Sequence, residues 1–252
     1  MLEVCVESAE GVAAAVRGGA DRIELCAALA LGGLTPPASL IRVAADAPIP
    51  THLLARPREG HFRYDAAEAA LVASDITAAA EVGLAGVVLG ASRDSGVLDT
   101  DLLAAWVDHA RREGARRGRP LSLTLHRAFD LCPDPFAALE TAVALGFERI
   151  LTSGGTLRAV DGVATLGELV RRAGDRITIL AGSGVDTATL PPILATGVRE
   201  VHASCRSATD DSGEAERRFG FQSGPLLRTD PAKVAALQDM LRTYRTLNNT
   251  NM

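Results

Sequence analysis

Short apolar runs recur along the chain, separated by longer stretches in which apolar residues return every three or four positions. The first spacing is that of buried strands and the second that of helices with one apolar face. Four times an Ala/Leu-rich stretch ends in glycine and a strand-like run follows. These are Gly19-Ala-Asp-Arg-Ile-Glu-Leu, Gly83-Leu-Ala-Gly-Val-Val-Leu, Gly146-Phe-Glu-Arg-Ile-Leu and Gly197-Val-Arg-Glu-Val-His. Glycine just past a helix takes the left-handed conformation that other residues resist. The intervals between these glycines each hold two strand–helix units of about 30 residues. The intervening strands fall at Leu2–Val6, Ile49–Leu54, Leu121–His126 and Ile177–Leu180. Eight alternating units predict an α/β chain, one (β/α)8 barrel over residues 1–246, followed by a polar tail at 247–252.

Capping signals support the units. Ser8 can cap the first helix, Asp134-Pro135 opens the fifth, Asp186 or Thr187 opens the seventh, and the last starts near Asp230-Pro231. Longer loops are expected at Arg56–Tyr64, Arg127–Pro133, Ser153–Val163 and Arg206–Thr229.

Alternation assigns the strand faces. Leu2, Val4 and Val6 should meet the helices, which turns Glu3, Cys5 and Glu7 inward; Ile23 and Leu25 likewise leave Glu24 and Cys26 inward. Strand 3 offers His52, Leu54 and Arg56, strand 5 Ser122, Thr124 and His126, and strand 8 His202, Ser204 and Arg206. Barrel interiors are usually layered Val, Ile and Leu. Buried charge needs pairing or coordination. Two readings follow: an ion-pair network joining Glu3 and Glu24 to Arg56 and Arg206, or a binding pocket, and both can hold at once.

Composition narrows the function. Net charge is −5 and Trp106 is the only tryptophan, with no basic block interleaved with aromatics, so a nucleic-acid partner is not expected. The longest apolar stretches carry Asp75, Thr77 and Glu81, so no membrane span is expected. The chain begins on a strand without a basic leader and has four cysteines, which points to a reduced, cytoplasmic setting. Lys233 is the only lysine and falls on the last helix, which disfavours imine chemistry in the barrel. There is no CxxC, so a structural zinc site is not expected.

Two groups of residues can carry chemistry. Cys5 and Cys26 lie on neighbouring strands about 4.8 Å apart. Two thiolates converging there can hold a soft ion such as Cu(I), and the plain alternative is a pair of reduced core thiols. The second group lines the C-terminal mouth, where barrels place their sites. His126 can act as acid, base or ligand, with Asp130 orienting it or pairing with Arg127. Arg56 and Arg58 suit a carboxylate or phosphate. Ser153-Gly154-Gly155 and Gly182-Ser183-Gly184 are glycine-rich turns, the second leading into a helix whose amides can cradle an anion. With Glu7, Glu24, Arg127, His202 and Arg206, this set suits acid/base work on a small anionic ligand. Glu7, Glu24 and His126 can alternatively hold a hard divalent ion.

Several stretches in order resemble the CutC copper-homeostasis family: Leu2-Glu-Val-Cys-Val-Glu-Ser8, Gly18-Gly-Ala-Asp-Arg-Ile-Glu-Leu-Cys26, Gly32-Gly-Leu-Thr-Pro36, Arg56-Pro-Arg58, His126-Arg-Ala-Phe-Asp130, Leu151-Thr-Ser-Gly-Gly155 and Gly197-Val-Arg-Glu-Val-His202. The resemblance runs to about residue 206 and continues weakly in Thr229-Asp-Pro-Ala-Lys-Val234. It implies a cytoplasmic barrel handling copper, with Cu(I) at Cys5 and Cys26, and a homodimer or homotetramer. It implies no settled reaction. Ser183 in Ile179-Leu-Ala-Gly-Ser-Gly-Val185 and Cys205 depart from the family's usual residues. Alternation turns Cys205 outward, away from any ligand role.

Overall fold

Eight parallel strands close edge to edge into a barrel in sequence order, β1 pairing with β8. They are β1 (Leu2–Val6), β2 (Arg22–Leu25), β3 (Thr51–Leu54), β4 (Gly86–Leu89), β5 (Ser122–Leu125), β6 (Arg149–Thr152), β7 (Thr178–Gly182) and β8 (Glu200–Ala203). The structure, a computed structural model, describes residues 1–209, 213–222 and 224–250. The helices packed outside are α1 (Ala9–Arg17), α2 (Ala38–Ala45), α3 (Ala66–Glu81), α4 (Thr100–Arg116), α5 (Pro135–Leu145), α6 (Val163–Ala173) and α7 (Leu190–Leu194). Between β8 and the last helix, β9 (Arg206–Ala208) and β10 (Leu227–Thr229) pair antiparallel, with α8 (Glu214–Arg218) between them. Helix α9 (Pro231–Thr250) packs on α1 and β1. The stretch expected as a tail from 247 is thus helical to Thr250, and residues 251–252 lie outside the described residues.

Local chemistry sets these boundaries. The four repeat glycines, Gly19, Gly83, Gly146 and Gly197, all have φ between 82° and 88°, as left-handed helix ends require. Ser8 accepts from the Gly11 amide and Asp134 from those of Phe136 and Ala137, as expected of N-caps. The seventh helix differs. Thr189 precedes its first residue, Leu190, and the Asp186 carboxylate instead closes a turn by accepting from the Ala188 and Thr189 amides. The Gly182-Ser183-Gly184 turn therefore runs into this turn and not directly into a helix.

Strand alternation separates two interiors. Leu2, Val4, Val6, Ile23 and Leu25 join one large apolar cluster with the helices, which also takes Cys205. Cys5 and Cys26 join Leu54 and Val88 in a smaller cluster inside the barrel. Below them, at the N-terminal ends of the strands, lies an ion-pair network. Arg22 donates through Nε to Glu3 Oε2 and through Nη2 to Glu200 Oε2 at 2.7 Å; Arg149 Nε reaches the same Glu200 oxygen at 3.1 Å. Arg22 and Glu3 are 1% and 0% exposed, so each charge depends on the other for its solvation.

This network has other members than the sequence suggested. Glu3 and Arg22 stand at one level because the β1–β2 register places them side by side. Arg56 and Arg206 lie past the strand ends, at the opposite end of the barrel. Arg206 pairs with Glu7 at 3.3 Å, while Arg56 donates to the carbonyls of Leu31, Gly33 and Gly60.

Replacing Arg22 by Met strips the buried Glu3, and Glu200 with it, of their shared guanidinium, which should destabilise the fold by about 3–5 kcal/mol. Arg176→Ala removes an exposed pair with Glu140 and should leave the urea midpoint nearly unchanged. Equal midpoints for the two variants in chemical denaturation would contradict a structural role for the network.

Candidate functional site

Above the ion pairs the interior turns polar without being paired. Glu3 has both oxygens engaged, Oε2 by Arg22 and Oε1 by His202 Nδ1 at 2.8 Å. Burial works against ionisation of Glu3, but the Arg22 charge and the His202 contact hold its carboxyl well below the usual range. Burial also disfavours charge on His202, and here too it is outweighed: the Cys5 thiol and Glu24, with hydrogen bonds to Cys5 and Glu3, hold its pKa well above the ordinary value. Glu3, Glu24 and His202 each present an atom within 4.8 Å of the others, a spacing that admits a metal ion. Glu24 lacks the neutralising arginine that Glu3 has. Its Oε2 is buried without a partner, and burial pushes its pKa up to about 7.

The thiols sit beside this group. The β1–β2 register sets Cys5 against Glu24, so Cys26 stands two residues further along. The two cysteines are therefore not directly opposite each other, as a cross-strand spacing of about 4.8 Å would require. Both are reduced and buried. Cys26 Sγ donates to the Val6 carbonyl at 3.4 Å, and burial, then the neighbouring Cys5, drives its pKa far up. Burial therefore favours the thiol form of Cys26, and a metal that binds there takes the thiolate and displaces the proton.

A cavity of about 310 Å³ opens from this floor to the mouth. Cys5, Glu24 and His202 form its base, and Arg56, His126, Arg127, Ser183, Gly184 and Arg206 are on its wall. His126 is 4% exposed. Its Nδ1 accepts from the Ala128 amide at 3.1 Å and its Nε2 has no partner among the described residues. The ring leans on Phe62 with centroids 4.7 Å apart, and the Arg56 guanidinium covers the same Phe62 ring at 5.1 Å. Burial, then the Arg56 charge, lowers the His126 pKa to about 3, so the imidazole is neutral.

Other expected residues do other work. Asp130 does not touch His126. It pairs with Arg127 at 2.7 Å and accepts from the Thr152 hydroxyl and from the Ser153 and Gly155 amides. The Gly154 amide goes to Thr152 Oγ1 at 2.9 Å. An internal carboxylate thus fills the place in the Ser153-Gly154-Gly155 turn that an external anion was expected to take. Arg58 lies off the cavity wall, bonded to Glu68 and lying over the Tyr64 ring. Glu7 caps the Leu29 amide at 2.8 Å and meets Arg206, so it does not join Glu24 and His126 as a metal group. Gly182 serves close packing: a Cβ there would stand 2.6 Å from Leu151 and 3.2 Å from His202.

Sequence reasoning passed over Arg22, Arg149 and Glu200, though alternation from Glu24 and His202 points to Arg22 and Glu200. Phe62, which seats both His126 and Arg56, carried no signal in its loop.

With this geometry in hand, comparison with known proteins gives a consistent result. The CutC family profile matches residues 1–207. A CutC family protein of Sinorhizobium medicae is 48% identical over 244 residues, covering 96% of each chain. One of Caulobacter vibrioides is 46% identical over 245 residues, covering 96% of this chain and 97% of its own. The crystal structure of the putative copper homeostasis protein CutC from Streptococcus agalactiae superposes with a TM-score of 0.74 at 30% identity, covering 81% of this chain and 98% of that one.

The buried imidazoles fix a pH dependence. His126 and His52 both fall from 6.5 to about 3, chiefly through burial. A folded pKa below the unfolded one gives stability that is present above pH 6.5 and lost as pH falls toward 3, because the unfolded chain binds the extra proton. Stability should therefore decline on acidification, and His126→Gln should lessen that slope by about 1.4 kcal/mol per pH unit near pH 5. Urea unfolding across this range, with equal slopes in both proteins, would contradict the assignment.

Proposed function

The chain belongs to the CutC family, and from that premise we propose that it is a copper-homeostasis protein that takes Cu(I) at Cys5 and Cys26. The observation that carries this reading is the pair of reduced thiols from neighbouring strands, enclosed with Leu54 and Val88. Two sulfurs in an apolar enclosure match the preference of a soft monovalent ion and offer little to hard ions. Cys5 is on the cavity wall and Cys26 is fully buried behind it, so the ion enters by the mouth and meets Cys5 first. His202, its Nδ1 held by Glu3, would offer Nε2 as a nitrogen ligand on the same side once metal binding displaces its proton.

The reading extends to a cytoplasmic protein working as a homodimer or homotetramer. Four free cysteines suit a reducing compartment. No helix among the described residues is long and apolar enough to cross a membrane. Phe219 and Phe221, 68% and 84% exposed on the excursion after β8, provide apolar surface for a second copy.

Anaerobic Cu(I) titration followed by native mass spectrometry tests the site. Wild type should retain one ion per chain against a competing chelator, and Cys132→Ser should behave alike. The Cys5→Ser/Cys26→Ser double variant should lose that ion while melting as a folded protein. Equal loading of wild type and the double variant would remove copper from these thiols.

A further inference from the structure

The mouth of the barrel carries unmatched polar groups that the thiol pair does not explain. Three consecutive amides, those of Ser183, Gly184 and Val185, have no acceptor among the described residues. Ser183 and Gly184 hold φ of 82° and 68°, and the turn is pinned from behind by Ser183 Oγ donating to the Leu157 carbonyl at 2.7 Å and by the Ala159 amide donating to the Ser183 carbonyl at 2.9 Å. All three residues border the cavity, together with Arg206 from the adjacent strand end. Arg206 leaves its Nε unpartnered.

The opposite wall is unmatched in another way. Strands β3 and β7 are four apart in the closed barrel and so face each other across it. Past β3 stands Arg56, 7% exposed, with an unpartnered Nε. Its other donors go to carbonyls, and no carboxylate among the described residues comes within ion-pair distance. A guanidinium buried without a counter-charge is costly. Two further orphans line the same cavity, His126 Nε2 beside Arg56 and Glu24 Oε2 on the floor, on residues 4% and 5% exposed. Unpartnered groups this deeply buried are rare in folded proteins and ask for a partner.

We propose that this cavity binds a small phosphate ester, its phosphate on the Ser183–Val185 amides and Arg206 and its oxygen-bearing carbon skeleton against Arg56, His126 and Glu24. Consecutive amides with an adjacent guanidinium offer donors to three oxygens, which a phosphate presents and a carboxylate does not. The far wall offers a fixed positive charge and a neutral imidazole and the floor a carboxyl group, which together suit hydroxyl or carbonyl oxygens. A volume near 310 Å³ lies at the lower end for small-molecule pockets and suits a small ester. The site uses neither thiol as a donor and stands or falls apart from copper.

Calorimetry and 15N NMR on the reduced, chelator-treated full chain test it, with glycerol 3-phosphate, glycerate and inorganic phosphate as probes. Glycerol 3-phosphate should bind at millimolar concentration or below and shift the Gly184 and Val185 amides. Arg206→Gln should weaken it and inorganic phosphate alike by about tenfold or more. His126→Gln should weaken only the ester, because inorganic phosphate does not reach that wall. No binding of either phosphate by wild type would overturn the proposal, as would unshifted Gly184 and Val185 amides, tighter binding of glycerate, or unchanged affinity in a folded Arg206→Gln variant.

Discussion

The ion pair between Glu3 and Arg22 is the constraint on which the rest of the interior depends. Both side chains point into the barrel from adjacent strands, where water does not reach. Neither charge survives alone there. Together with Glu200 and Arg149 they tie β1, β2, β6 and β8 at one level. The same carboxylate also fixes His202 through Nδ1. A structural pair at the bottom of the barrel therefore decides where the imidazole beside it stands.

That arrangement divides the polar interior by height. At the bottom, charges are matched and serve cohesion. One layer higher, Glu24 has lost the arginine that its neighbour Glu3 keeps, and its environment raises its pKa instead. Near the mouth, Arg56 is held by carbonyls, which accept hydrogen bonds without cancelling charge. Stability alone would favour apolar residues at these upper positions, as in most barrels. The lack of matching rises toward the end of the barrel that opens to solvent, as expected of a place for a ligand.

The fold was legible in the sequence because period-two and helical patterns repeat eight times and glycine marks the helix ends. The inward faces were legible too, since alternation decides them once the apolar face is known. Partner choice was not. Glu3 and Arg56 share the interior but not the level, and level depends on strand register and barrel closure, which no local pattern encodes. Asp130 shows the same limit. Its spacing allowed it to orient His126 or to pair with Arg127, and the short helical turn at Arg127–Leu131 gives the second, setting it under the Ser153 turn. The amides of that turn are consumed internally, while those after β7 are not, and the two glycine-rich turns look alike in sequence.

Cys5 joins the two regions. It belongs to the thiol cluster with Cys26 and also lies on the wall of the mouth cavity, next to His202 and Glu24. Cys26, with its thiol turned to the Val6 carbonyl, belongs to the cluster alone. The path from the mouth to Cys5 therefore runs through the space that Arg56, the Glu7-paired Arg206 and the amides after β7 surround. Those groups are cationic or hydrogen-bond donors, so the entrance disfavours a free cation and favours an anionic species.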